Sequence, residues 1–394
     1  MGRHRRKASS RAGVPPRLAS APSAQGDRAT CVPTPAAPTP ATPLDIDDTL
    51  AEILLRLPPL PSALPRASMV CRRWRALVSD PYFLGRFRAH HHRDPPLLGF
   101  FFQHRTTNVT FTPALDPPDR VPAARFSLQL DKAKDHSIHS CRHGRVLFVN
   151  WTKPHLFLVW EPITGNQRRV PLPPTFDSKA RDVLTSAIVC AAGRGNRQGH
   201  VHGACCHSSP FQCRRNACRR RVSQFSLTSC PSVLVGNSLC WLLCGTPGAI
   251  IVFDLDRQSL DAIDLPLCAF NCDAFLGWRR TYLVMPADDG GICLLALSGF
   301  SAQLWNREVN SGGVNGWVLG KTIELDRHLC LRSDVNVGTP WIVAFDEDDN
   351  AIFVRTDSGV FRVHLQSMQF KNLPETLPTY RHYHPFTSFY SICR

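Results

Sequence analysis

Acidic residues are scarce in this chain and unevenly spread: 31 Asp and Glu stand against 46 Lys and Arg in 394 residues, a formal net charge of +15. The first 43 residues hold seven basic side chains and Asp27 alone, and residues 212–230 hold five arginines and no acid, so two short segments supply +11 of that charge. From residue 231 onward the chain is slightly acidic. A basic total of this kind needs no basic folded face, which argues against nucleic acid as a partner. Long apolar runs are missing as well. Residues 222–253 carry no charge, yet Pro231, Gly236-Asn237, Gly245, Pro247 and Gly248 divide them into pieces far shorter than a membrane span requires. No apolar h-region follows the basic start, so secretion is not expected. The sequons at Asn108 and Asn150 then lose their meaning, and the sixteen cysteines read as the reduced set of a nuclear or cytoplasmic protein.

Signatures of catalysis are absent too. There is no Gly-x-Ser-x-Gly elbow, no Walker loop and no His-Glu-x-x-His, and the glycines of Gly193-Arg194-Gly195-Asn196-Arg197-Gln198-Gly199 miss the dinucleotide spacing. No two cysteines have the Cys-x-x-Cys spacing of a structural zinc site. His200, His202, Cys205, Cys206, His207, Cys213 and Cys218 do crowd into nineteen residues, but adjacent Cys205 and Cys206 are poorly placed to ligate one ion. The His90-His91-His92 run reads as a solvated helix end, and Cys240, Cys244, Cys268 and Cys272 as small buried residues. The expectation is a non-enzymatic chain with no catalytic residue, no cofactor and no metal.

What is present divides into three parts. Residues 1–43, rich in Pro, Ala, Ser, Thr and Arg, have the composition of a disordered tail. A plain solvated leader, a nuclear localisation patch at Arg3-His4-Arg5-Arg6-Lys7 and an organelle transit peptide all fit it. Residues 44–90 are helical in pattern. Leu50, Ile53, Leu54 and Leu57 recur at helical spacing, Thr49 and Glu52 fit a capping box, and Pro58 stops the run. Ser62 is placed to cap a second helix in which Leu64, Ala67, Cys71, Trp74 and Val78 recur at steps of three and four. Asp80-Pro81 is an N-cap and first-position pair for a third helix bearing Phe83 and Phe87. So small a unit buries too little surface to stand alone, so either the following domain or a partner covers the remaining stripes.

From Pro96 to the C-terminus the pattern is short strands and turns. Val159-Trp160 leads through Gly165 and Arg168-Arg169-Val170 to Leu172-Pro173. Val252-Phe253-Asp254 leads through Ile263 to Leu265-Pro266, and Val363-His364-Leu365 through Phe370 to Leu373-Pro374. Gln303-Leu304-Trp305 and Trp317-Val318-Leu319 form a variant. Val233-Leu234-Val235, Gly236-Asn237 and Ser238–Leu243 read as a hairpin followed by a strand at Ala249–Phe253. Strands are also expected at Cys141–Val149, Trp341–Phe345 and Ala351–Arg355. Units of several strands repeating at about fifty residues are what a propeller of four-stranded blades produces, an irregular β-sandwich being the alternative. The repeat calls for a further unit near residues 205–230. That place holds the arginine-rich segment instead, which reads either as an altered or mis-spliced stretch leaving a blade incomplete or as a metal or nucleic-acid site.

The ordered combination Asp47-Asp48 … Leu57-Pro58, Val70-Cys71-Arg72-Arg73-Trp74-Arg75 and Asp80-Pro81-Tyr82-Phe83 resembles an F-box. The family usually opens Leu-Pro-Asp-Asp, whereas here Asp45 and Ile46 separate Leu44 from the acidic pair. The strings Cys141-Arg142-His143-Gly144-Arg145, Val159-Trp160-Glu161-Pro162-Ile163-Thr164-Gly165, Ser232-Val233-Leu234-Val235-Gly236-Asn237 and the closing Tyr383–Tyr390 are similar to plant F-box proteins with an F-box-associated, propeller-like domain. The resemblance implies a three-helix F-box followed by a β-propeller at 96–394, in the substrate receptor of a Skp-cullin-F-box ubiquitin ligase. It implies docking on a Skp-type adaptor, and through it a cullin, by Leu44, Leu50, Ile53, Leu54, Leu57, Pro58, Val70, Cys71 and Trp74, with Trp74 as anchor and a target protein held by the β-domain. A decoy with a damaged receptor domain and a basic nucleic-acid binder are the rival readings.

Overall fold

The computed structural model describes residues 47–91, 95–102, 109–128, 130, 136–150, 156–171, 183–190, 201–207, 231–243, 248–266, 281–309, 315–326, 338–373 and 383–389. The N-terminal tail, Leu44, the 212–230 segment, the Gly193–Gly199 run, Cys244, Cys268, Cys272 and His382 lie outside the described residues.

Four helices, not three, build the N-terminal unit: α1 (Asp47–Leu55), α2 (Ala63–Ser68), α3 (Arg72–Ser79) and α4 (Pro81–His90). The expected second helix is broken because Cys71 adopts extended backbone, φ −160° and ψ 171°, and its Sγ accepts from the Trp74 N–H at 3.5 Å as the cap of a new helix. The break turns α3 so that it packs on α2 and α4 and sends Val78 into the core. Two expected caps differ as well. Helix α1 already includes Thr49, so no capping box forms, and Glu52 instead pairs with Arg86 of α4. Ser62 is helical in backbone and makes no side-chain cap; its N–H donates to Asp119 Oδ1 at 2.8 Å, a hydrogen bond between the helical unit and the β-domain. Asp80-Pro81 does open α4: Asp80 Oδ2 accepts from the Phe83 N–H at 3.3 Å, and Phe83 and Phe87 are buried.

The remainder is a β-propeller. Each four-stranded antiparallel blade is a meander in which consecutive strands pair: β3 (His136–Arg142), β4 (Arg145–Asn150), β5 (Leu156–Trp160) and β6 (Gln167–Pro171); β9 (Val233–Val235) to β12 (Ser259–Asp264), by way of β10 (Ser238–Leu243) and β11 (Ala249–Asp254); β13 (Tyr282–Pro286), β14 (Ile292–Ser298), β15 (Ser301–Val309) and β16 (Asn315–Glu324); β17 (Trp341–Asp346), β18 (Ala351–Thr356), β19 (Gly359–His364) and β20 (Gln369–Asn372). Strands β7 (Val183–Cys190) and β8 (Val201–His207) form a two-stranded sheet beside β3. The ring closes through a three-stranded blade in which β1 (Leu97–Phe102) pairs with both β2 (Thr110–Pro113) and β21 (His384–Thr387), the first and last described strands of the domain. Among the described residues, five blades of three or four strands result. Phe100, Phe101, Phe102, Tyr383 and Phe386 are all buried at this closure, and Phe101 meets Phe386 edge to face at 5.1 Å.

The repeated strand-turn-strand units of the sequence are the last two strands of each four-stranded blade: β5–β6, β11–β12, β15–β16 and β19–β20. Their turns are polar because they close on themselves. Asp254 Oδ1 accepts from the N–H groups of Asp256 and Arg257 at 3.0 and 2.9 Å, and His364 Nδ1 accepts from the Ser367 N–H at 3.0 Å. Gly165, Gln258 and Met368 take positive φ near the ends of their turns. The recurring leucine after the fourth strand tucks inward, as Leu265 and Leu373 show, and Leu325 repeats this after β16. The string Cys141–Val149 is the end of β3 and the body of β4, joined by a two-residue turn, His143-Gly144, both at positive φ.

Candidate functional site

Two surfaces carry side chains that the fold itself leaves unexplained. The first is on the helical unit. Its core is closed: Leu50, Ala51, Leu54, Leu55, Leu64, Ala67, Val78, Phe83 and Phe87 are buried together, with Leu57, Trp74, Leu77 and Leu84 packed against them. Leu50 and Leu54, at 0% and 1% exposure, face this core and so support the surface from beneath. The inward stripe of α1 is Leu50, Ala51, Leu54 and Leu55, which leaves Ile53 outside at 40% exposure. Val70 (62%) and Met69 (71%) project from the break between α2 and α3, and Tyr82 (71%) from the first turn of α4. Pro58 and Cys71 are exposed, while Leu57 and Trp74 are half-buried. Of the six large apolar side chains exposed among the described residues, four therefore sit on this unit of fewer than fifty residues. Met69 and Tyr82 carry no helical-period signal, since one follows a helix end and the other lies beside a cap, which is why spacing alone passes over them. Arg73–Asp47 at 2.7 Å and Arg86–Glu52 tie α3 and α4 to α1, and His91 Nε2 meets the Leu55 carbonyl at 2.8 Å.

The second surface is a cavity of about 60 Å³ on the propeller axis. It is lined from the innermost strands or their flanks in five sheets: β3, β9, β13, β17 and β21. Arg142, at the end of β3, spans three of these sheets. Its Nε donates to Glu347 Oε2 at 2.9 Å, its Nη1 to Ser232 Oγ at 2.8 Å, and its Nη2 to both Glu347 Oε1 and the Ser232 carbonyl. Thr387 donates to Asp348 Oδ2 at 2.6 Å. Asp346 is buried, with Arg362 at 3.5 Å. Burial pushes its carboxyl up to about 7, the neighbouring Asp348 and Asp349 push the same way, and Arg362 opposes them. Burial also raises the Cys141 thiol beside it far above the ordinary thiol range, and that of Cys240 to about 12, so neither is a reactive thiolate.

A carboxyl held up in the folded state keeps its proton while the unfolded chain has lost it, so Asp346 lowers stability as pH rises from about 4 to about 7 and has no further effect above that. Each unit of the gap is worth about 1.4 kcal/mol. His139, whose imidazole burial pushes down to about 4, acts in the opposite sense between about 4 and 6.5. The difference between Asp346→Asn and the unaltered chain isolates the carboxyl: urea unfolding is expected to show the variant gaining a few kcal/mol relative to the parent between pH 4.5 and pH 7.5. A constant difference across that range would show that Asp346 is ionised throughout.

The helical unit and the β-domain each match a family model. Residues 47–85 match the F-box domain, and residues 137–391 match "F-box protein AT5G49610-like, beta-propeller". The chain belongs to the family of F-box proteins with an AT5G49610-like β-propeller. F-box domains generally bind Skp-type adaptors. Comparison with curated protein sequences finds no match. Among solved structures, the chain is similar to the extracellular domain of the one component system BT4673 from B. thetaiotaomicron at 10% identity and a TM-score of 0.25, over 71% of this chain and 28% of that one. It is similar to YCF48 bound to D1 peptide (10% identity, TM-score 0.35, 72% and 84% of the two chains) and to the WD40 domain of SCAP from fission yeast (10% identity, TM-score 0.23, 64% and 56%). The F-box protein thus spans well under a third of the first of these chains. Among the described residues no helix is long and apolar enough to cross a membrane.

Proposed function

We propose that this F-box protein is the substrate-receptor subunit of a Skp-cullin-F-box ubiquitin ligase, a non-catalytic role. Its F-box docks on the Skp-type adaptor, the adaptor joins it to a cullin, and its propeller holds the target protein. The observation that carries the reading is the group Ile53, Met69, Val70 and Tyr82, exposed on a domain whose own core is already filled. Isolated exposed apolar residues are ordinary; four large ones on one small helical unit mark a surface that is covered in use. The residues assigned to contact are accordingly Ile53, Leu57, Pro58, Val70, Cys71 and Trp74, joined by Met69 and Tyr82, with Leu50 and Leu54 supporting them from the core.

Ubiquitin transfer needs no chemistry from such a subunit. Holding the target raises the effective concentration of its lysines near the charged conjugating enzyme, and geometry alone supplies the rate. Co-purification with a Skp-type adaptor, comparing the intact chain with one lacking residues 44–87, tests the reading. Adaptor recovered with the intact chain and lost with the deletion is the expected result. A folded intact chain that recovers no adaptor overturns it.

A further inference from the structure

The axial cavity also limits the chemistry of what the propeller holds, on the reading that this chain is a receptor. Its cationic group is already committed. Arg142 makes four hydrogen bonds, to both oxygens of Glu347 and to the hydroxyl and carbonyl of Ser232, so it has no fork left for a phosphate or carboxylate. Glu347 is balanced by that guanidinium, and Asp346 faces Arg362. Asp348 remains: it is exposed, lines the cavity, and among the described residues accepts from a neutral hydroxyl donor, Thr387. The negative field of Asp348 reaches the surrounding groups, disfavouring ionisation of Cys141 and Asp346 and opposing the effect of burial on His143. Beside these polar groups the cavity wall is apolar, made of Val233, Leu283 and Phe345. With a volume of about 60 Å³ the cavity is small, in keeping with entry of a single side chain.

We infer that this cavity takes a single lysine or arginine side chain of the target protein, its methylene stem against Val233, Leu283 and Phe345 and its cationic head at Asp348. A long basic side chain is the natural complement of such a lining, being apolar along its stem and charged at its tip. An acidic peptide meets an arginine already engaged by Glu347 and the carboxylate of Asp348, and a purely apolar one desolvates Asp348 without supplying a cation.

The test is selection of a displayed random heptapeptide library on the full-length chain in complex with its adaptor. Enrichment of Lys or Arg at one position is expected. In the selected peptides, replacing that residue by norleucine and, separately, changing Asp348→Asn in the protein should each weaken binding by about fivefold, the scale of a partly exposed ion pair. Binding should also weaken as salt is raised from about 0.05 M to about 0.5 M, which decides the matter on the unaltered protein if the variant fails to fold. Selected peptides with no basic position, basic peptides held equally well by a folded Asp348→Asn chain, or no selection at all would overturn the inference. Adaptor co-purification of the same Asp348→Asn chain reads the receptor function separately: a failed peptide result with adaptor still bound removes only the cavity's assignment, and loss of adaptor from the unaltered chain removes the receptor reading itself.

Discussion

Ile53→Asp combined with Val70→Asp is expected to weaken adaptor binding by about 4 kcal/mol, roughly a thousandfold, while leaving the melting temperature of the free chain within about 2 °C. Both side chains are exposed in the free chain, so a carboxylate at either position stays hydrated until a partner covers it. Binding then strips water from two unpaired charges, which costs far more than the lost apolar contact. Titration of the purified adaptor against the full-length variant, with circular dichroism melting as the control, checks both halves of the statement. An unchanged dissociation constant would move the docking surface off α1 and the α2–α3 break. The same substitutions at Leu50 and Leu54 would not serve, because those positions lie in the closed core and the domain would unfold before any interface was tested. Trp74 is an intermediate case. It packs on the core and is half-exposed, so its truncation loosens the domain and its surface together.

The second large effect is at the propeller axis. Arg142→Met is expected to destabilise the chain by about 3–5 kcal/mol, since it leaves the carboxylate of Glu347 without its partner in a largely buried setting and removes both bonds to Ser232. Changing Glu347→Leu in the same chain should recover most of that loss, because two well-packed apolar side chains replace a pair whose desolvation offset much of its attraction. Chemical denaturation of the single and double variants measures both numbers. A double variant no better than the single one would show that the Ser232 bonds, not the unpaired carboxylate, account for the effect. Arg142 and Glu347 are 205 positions apart in sequence, so this one guanidinium links elements far apart in the chain.

Much of this architecture is legible in the sequence, and the reason is local. The last hairpin of each blade advertises itself because its turn must be polar, as Asp254 and His364 show, and because the following leucine must return to the core. The hairpin of β9 and β10 is given away by Gly236-Asn237 in the same manner. First and second strands are quieter. Strands β13 and β14 are near-continuous apolar runs buried on both faces, and such runs have no period from which to infer direction or pairing. The pairing of β1 with β21 is invisible for another reason: it joins segments almost three hundred residues apart, and nothing in either short string names its partner. In the helical unit the spacing identifies the domain but misplaces its faces. A step of three and four runs through both the core positions and Ile53, and the sequence from Ser62 to Val78 keeps its period across Cys71 although the helix does not. The capping sulfur is what the pattern hides, for cysteine is not a residue from which a cap is expected. The axial cavity could not have been read at all, since its lining comes from five sheets.

Closure of the ring by β21 sets an order of events during synthesis. The residues of the helical unit's own core have all left the ribosome by residue 91, while its hydrogen bond from Ser62 to Asp119 of the β-domain forms later. The propeller has no such freedom: β1 emerges early and must wait, with one edge unpaired, until residues 384–387 are made some 290 positions further on. Throughout that interval Phe100, Phe101 and Phe102 lack Tyr383 and Phe386, the partners that bury them. A nascent chain of this kind displays its helical unit well before its ring is closed, and a premature stop even a few codons upstream of β21 would leave the ring open.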